Sequence, residues 1–358
     1  MKKKNLVFLL VLTLFGVLMA ACGGGDDAPN ASADSSKTYE FDLNVSASAS
    51  STFVKEVAEP WAEYVEEKSD GRLKVNVYSG AALGSFSTSY ADIKGNVYES
   101  GFIIPGLFTD TDLFPLTIGD IPFLLQSPEV AEKVLTEYIN EHVTEISDDV
   151  TFISVTSTDA FQIFGKEPMK KASDLKHNKI SDTVAGRIEL FKTLGATPVS
   201  MTNTELYESL ERGITDLSVY TAVGALGYKF DEVTNWMTKV DLAVSVLPFF
   251  VSTEFLDSLP EDLRDQFITD IGPKYTQLAT EVYTNDAEAS IAKYEELVSD
   301  RNGGVYIPTE EELKEWKAPI KKQMDDWVAE ANKRGYDGQA MMDTYVELLK
   351  NEGVIVPE

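Results

Sequence analysis

Cysteine and histidine are almost absent: Cys22 is the only cysteine in 358 residues, and His142 and His177 are the only histidines. That scarcity excludes a disulfide framework and a Cys/His metal cluster. Also missing are a phosphate-cradling glycine loop, a nucleophile elbow and paired histidines at metal-ligand spacing. Both histidines sit in polar stretches and read as surface positions. Asp110, Asp112 and Asp120 lack the spacing of a calcium loop and read as a solvated loop. Cations are outnumbered, 31 Lys and Arg against 59 Asp and Glu, for a formal charge of −28. So negative a field argues against nucleic-acid or anionic-lipid partners. The chain reads as a protein without catalysis, cofactor or metal.

Long apolar runs are equally scarce. The run Leu6 to Leu18 is shorter than the roughly 20 residues that span hydrocarbon. It follows Lys2, Lys3 and Lys4 and ends at Met19, Ala20, Ala21 and Cys22, which is the layout of an export signal over residues 1–21. Small residues before a lone cysteine resemble the lipobox of bacterial lipoproteins, which implies a diacylated Cys22. The stretch after it, GGGDDAPNASADSSK, has the composition of a flexible tether over 22–38. The expected location is extracytoplasmic, in the periplasm or at the cell surface, with a lipid anchor in the membrane.

What the body does contain is alternating strand and helix patterning. Phe41, Leu43 and Val45 alternate as in a half-buried strand, and Phe53, Val57, Trp61 and Val65 recur at helical spacing before Asp70-Gly71. Leu73, Val75 and Val77 alternate again, so the opening is a strand, helix, strand unit with a crossover that favours parallel pairing. A helix over 88–95, a short strand over 102–104 and a helix from Ser127-Pro128 follow.

A second block has strands at 152–155, 179–181 and 214–220. Its helices end at Gly195 and Gly213, and Thr202 and Glu205 have capping-box spacing. Residues 260–300 carry a long helical pattern, and Thr309 with Glu312 caps a further helix bearing Trp316, Ile320, Met324 and Trp327. Two alternating blocks predict an α/β protein with two lobes. The expected division is lobe I over 39–157 with part of 249–300, lobe II over 158–248 with part of 301–358, and the 260–300 helix spanning both.

Several segments together resemble the extracytoplasmic solute receptors of tripartite ATP-independent periplasmic (TRAP) transporters. They are FVKEVAEPWAEYVEEKSDGRLKVNVYSGAALGS (53–85), IGDIPFLL (118–125), SDLKHNKI (173–180), LGATPVSMTNTELYESLERGITD (194–216), DEVTNWMT (231–238) and PFFVSTEFLDSLPEDLRDQF (248–267). The resemblance implies a two-lobed, periplasmic-binding-protein-like fold with crossing hinge strands and a long bracing C-terminal helix. It also implies a small-molecule ligand enclosed between the lobes and delivery to membrane permease subunits driven by an ion gradient. Two other functions remain open: a lipid-anchored partner of a membrane sensor, and a hydrolase on the same scaffold.

Receptors of this kind grip an organic acid with an arginine on the strand after the D-L-K segment, because the guanidinium fork matches a carboxylate. Here that position holds Ser181. Ala160 and Phe161 stand where a second basic residue is common, and Val219 and Tyr220 replace polar residues after Asp216. The expected pocket is Phe161, Ser181 and Tyr220, with Thr158, Gln162, Phe108 and Trp236 behind them. Arg187 is near in sequence and is expected on a helix facing solvent, and whether it replaces the missing arginine stays open. The ligand is accordingly expected not to be a simple arginine-bound carboxylate.

Overall fold

The computed structural model describes residues 37–49, 51–143, 146–182 and 184–357. The signal, Cys22 and nearly all of the expected tether therefore lie outside the described residues. Eleven strands are formed among them: β1 (Tyr39–Asn44), β2 (Leu73–Tyr78), β3 (Ser100–Phe102), β4 (Val150–Ser157), β5 (Phe161–Gly165), β6 (Lys179–Ser181), β7 (Thr197–Val199), β8 (Leu217–Thr221), β9 (Trp236–Thr238), β10 (Val246–Ser252) and β11 (Gly304–Tyr306). They build two mixed sheets with helices packed on them, one ordered β2-β1-β3-β10-β4 and the other β11-β9-β5-β8-β6-β7. The opening unit pairs β1 with β2 in parallel, Phe41 opposite Val75 and Leu43 opposite Val77.

The chain crosses between the sheets where β4 gives way to β5, and it returns between β9 and β10. The two crossing segments are hydrogen-bonded to each other. Thr158 N donates to Ser245 O at 3.0 Å, Ser245 N donates to Thr158 Oγ1 at 3.0 Å, and Phe161 N donates to Ala243 O at 2.7 Å. Two crossing segments of this kind are where a hinge between the sheets would lie.

The long helical stretch runs without interruption over 261–299 but contains a π-helical turn. A six-residue helix, Glu261–Gln266, leads into a π-helical turn at Phe267–Ile271, and the main helix runs Gly272–Ser299. A Cβ on Gly272 would collide with Ile153 of β4, so glycine allows the helix to pass close over the first sheet. Its early residues Tyr275, Ala279 and Val282 belong to the core of the first sheet, whereas Tyr294 and Val298 belong to that of the second. Trp61 Nε1 donates to Ile271 O at 2.7 Å and fixes the start of this brace.

Turn chemistry places the second sheet. Gly195 (φ +89°) and Gly213 (φ +66°) adopt the left-handed conformation that glycine enters without steric cost, and each ends a helix leading into a strand. The strand expected over 214–220 is shorter, Leu217–Thr221. Ile214 is exposed, and the Asp216 carboxylate accepts from Lys179 N at 2.8 Å, which uses the residues before the strand as a turn. The strand expected over 102–104 lies two residues earlier, at Ser100–Phe102, and Pro105 opens a 3-10 turn after it.

Candidate ligand cleft

Between the sheets lies a cavity of about 500 Å³, within the usual range for a small-molecule site of about 300–1,000 Å³. The first sheet's side contributes Asn44, Phe53, Phe86 and Phe102, and the second contributes Phe161, Ser181, Arg187 and Tyr220. The bracing helix adds Tyr275, Tyr283 and Asp286. Aromatic walls meet edge to face: Phe161 against Tyr220 at 6.1 Å and Tyr220 against Tyr228 at 5.5 Å. Burial pushes the Tyr220 and Tyr283 hydroxyls well above the usual tyrosine range, so they face a ligand as neutral groups.

Arg187 corrects the expectation that it faces solvent. Its residue is only 3% exposed and lines the cavity from the first turn of helix Ala185–Thr193. Asp182, five residues earlier, supplies the cause. Arg187 Nε donates to Asp182 Oδ2 at 2.7 Å and Nη2 donates to Oδ1 at 2.9 Å, a two-point pair that turns the guanidinium inward. The guanidinium carbon lies 4.0 Å from the centre of the Phe161 ring. Nη1 is buried and has no hydrogen-bond partner. Arg187 is the only Lys, Arg or His among the described residues that line the cavity.

Ser181, at the position where an arginine was sought, also lines the cavity, but its hydroxyl donates to Ser218 Oγ at 2.8 Å. It can therefore offer a ligand only an acceptor. Thr158 lines the cavity too, and its Oγ1 is engaged by the crossing ladder. The remaining three expected residues stand elsewhere. Gln162 donates to Asp241 Oδ1 at 2.7 Å and accepts from Asp241 N, Phe108 packs edge-on against Tyr90, and Trp236 sits on β9 with its ring against Gly304. Each is removed from the cavity because a structural partner claims its side chain.

Sequence reasoning missed Asp182, Phe53, Tyr228, Tyr275 and Tyr283, and for Arg187 it expected the wrong orientation. For Arg187 a signal was available: it follows the carboxyl end of β6 at the start of the next helix, and open α/β sheets present their ligand groups at that end. The aromatic residues of the bracing helix looked like core, and Tyr275 is also packed as core.

Two buried carboxylates complete the electrostatics. Asp159, in the crossing, accepts from Ala222 N at 2.9 Å and Val223 N at 3.4 Å, and burial pushes it up to about 7 against those bonds. Asp120 corrects the solvated-loop reading. It is 3% exposed and pushed up to about 7 by burial, which outweighs the pull of Arg187. Asp110 is exposed and pairs with Arg334, and Asp112 accepts from Tyr90. No group of three or more His, Cys, Asp or Glu among the described residues could hold a metal ion. No helix among them is long and apolar enough to cross a membrane.

A two-lobed α/β receptor with an interlobe cleft and bonded crossing segments is the class these features define. The chain belongs to the bacterial extracellular solute-binding protein family 7 (DctP), whose model matches residues 43–331. It is thus a TRAP-type solute-binding receptor of the extracytoplasmic space and not an enzyme. A solute-binding protein of Albidiferax ferrireducens is 23% identical over 232 residues, 63% of this chain and 68% of that protein. The chain spans about two thirds of the length of the curated relatives it matches.

The fold is that of solved TRAP solute-binding proteins. One from Rhodoferax ferrireducens, in complex with copurified benzoate, superposes with a TM-score of 0.78 at 20% identity, covering 88% of this chain and 99% of that one. Another, from a marine metagenome and specific for aromatic acid ligands, holds 3-hydroxybenzoate. It superposes with a TM-score of 0.78 at 22% identity, covering 88% of this chain and 99% of that one.

Proposed function

We propose that this receptor captures a small, flat organic acid with one carboxylate and an aromatic or otherwise apolar body. Arg187 Nη1 carries the reading: a buried guanidinium NH2 group with no partner, set in an aromatic-walled cavity. Asp182 holds Nε–H and one N–H of Nη2, which leaves the two N–H groups of Nη1 to meet a carboxylate. This reading replaces the expectation of a ligand other than a simple arginine-bound carboxylate, because the buried Arg187 supplies the cation that Ser181 does not. A hydrogen bond between charged groups contributes about 1.5–3 kcal/mol, and the flat body supplies the rest by covering the Phe161 and Tyr220 faces. The aromatic acids held by the two similar receptors support this ligand class.

The bound acid is delivered to TRAP permease subunits in the membrane, and the receptor performs no covalent chemistry. The site residues of this reading are Arg187, Phe161, Tyr220, Ser181 and Thr158. A thermal-shift screen of benzoates, phenylacetates, dicarboxylates and sugar acids tests it. Stabilisation by aromatic monoacids is expected, and stabilisation by sugar acids alone contradicts it.

The lipid anchor is part of the same proposal and rests on Ala20, Ala21 and Cys22 after the apolar run. Purified membranes are expected to hold the protein with diacylglyceryl mass on Cys22, and Cys22→Ser is expected to release or leave it unprocessed. A mature wild-type chain without lipid on Cys22 contradicts the anchor and leaves the ligand reading intact.

A further inference from the structure

Behind the Arg187–Asp182 pair stands a carboxylate that solute capture does not use. Asp120 ends the 3-10 turn Phe114–Asp120, and neither of its oxygens has a hydrogen-bond partner. Its Oδ2 lies against Gly106 and Val184: a Cβ on Gly106 would come within 2.6 Å of the oxygen and 2.9 Å of Val184 Cγ1. Its carbonyl faces Gly186. The carboxylate therefore backs onto the start of the helix that carries Arg187. The charged and titratable groups that face it are Arg187 and Asp182 from that helix and its lead-in, and Tyr345 from the C-terminal helix Gly338–Asn351. From β10 only the Val246 amide approaches.

The cluster thus sets one guanidinium against two carboxylates. With both ionised, an incoming carboxylate would become the third anion around a single cation in a site removed from water, where charges are poorly screened. With Asp120 protonated, the pair is neutral and Nη1 meets the ligand without that repulsion.

We propose that Asp120 is a positioning residue that links anion capture to a proton: the ligand carboxylate binds at Arg187 Nη1 together with one proton from solvent, held on Asp120. The proposal rests on the acid-capture reading. The balance is simple, since one proton moves from water to a carboxylate oxygen and no other bond changes. The ordinary carboxyl would be ionised throughout the working range, but burial pushes Asp120 up to about 7, against Arg187 and with a smaller contribution from Asp182. A protonated Asp120 also makes the cleft selective, because a neutral ligand gains nothing from the proton.

The sign follows from linkage. Binding favours the protonated carboxyl, so affinity is level on the acid side and falls by about tenfold per pH unit above the Asp120 transition. The test is calorimetric titration with benzoate from about pH 5.5 to about 8.5, in two buffers of different ionisation enthalpy. Wild type is expected to take up about one proton per benzoate on the alkaline side and none on the acid side. Asp120→Asn is expected to bind at every pH with the wild type's acid-side affinity. A pH-independent wild-type affinity, or a slope that survives in Asp120→Asn, overturns the proposal.

Failure of benzoate to bind at any pH contradicts the acid-capture reading instead. The proton claim then stands or falls on difference infrared spectra of the free protein. A protonated-carboxyl band on the acid side that Asp120→Asn removes supports it, and its absence rejects it.

Discussion

Replacing Arg187 by Gln removes the only Lys, Arg or His lining the cavity among the described residues and breaks its two-point pair with the buried Asp182. Breaking a buried pair from one side costs about 3–5 kcal/mol, so Arg187→Gln is expected to lower the melting temperature by several degrees. The double variant Asp182→Asn/Arg187→Gln is expected to regain much of that stability. Neither is expected to bind benzoate as wild type does, with a loss of about ten- to a hundredfold by calorimetry. Unchanged affinity in the double variant would remove Arg187 from the site. Asp120 also has a stability signature. Its folded-state carboxyl is raised from 3.8 to about 7, so it contributes stability at low pH that is lost as the pH rises from about 4 through 7. Denaturation across that window is expected to favour Asp120→Asn over wild type increasingly toward neutral pH, by on the order of 4 kcal/mol at most. Ser181 and Arg187 mark the boundary of what sequence reveals here. The arginine missing from one position was legible, but which way a helical arginine turns depends on Asp182, and only the folded contact shows it.

The short helix Ala222–Gly227 sets the cleft's aromatic wall through a close approach. Gly224 lies under the Tyr220 ring, and a Cβ there would collide with the ring and with Thr221 Oγ1. Thr221 caps this helix by accepting from Gly224 N at 3.1 Å, and Asp159 accepts from its first amides. Gly224→Ala is therefore expected to push Tyr220 aside, costing about 1–3 kcal/mol in stability and weakening ligand binding. Full retention of both would show that the wall is not set by this contact. Element types and their caps were largely legible, because capping boxes at Thr202 and Thr309 and left-handed glycines at 195 and 213 are local chemistry. The π-helical turn in the bracing helix was not legible. A π-helical turn at Phe267–Ile271 keeps an apolar spacing close to that of an unbroken helix, and Gly272 is explained by Ile153, which is distant in sequence.

At the scale of the molecule, two sheets share a pair of bonded crossing segments and one long helix, and the cavity lies between them. Both sheets line the cavity, so a ligand that touches both favours the closed arrangement by its extra contacts there. Moving such a balance from 1:99 to 99:1 needs about 5.5 kcal/mol of preference for the closed state. Scattering profiles are expected to show a more compact particle with saturating ligand, and identical profiles would count against closure. The α/β class and two-lobe plan were legible because alternating patterning and ordered family segments cover most of the body. Which aromatic residues face the cleft was not, since a tyrosine such as Tyr275 serves core and cavity together.

The central claim is that the buried Nη1 of Arg187 holds one carboxylate over an aromatic-walled cavity. Calorimetric comparison of benzoate with succinate at the same pH tests it most directly, since the cavity lining among the described residues offers no second cation for a second carboxylate. Benzoate is expected to bind at least about a hundredfold tighter, because an unpaired buried carboxylate costs more than several kcal/mol. Succinate binding as tightly as benzoate would contradict the account.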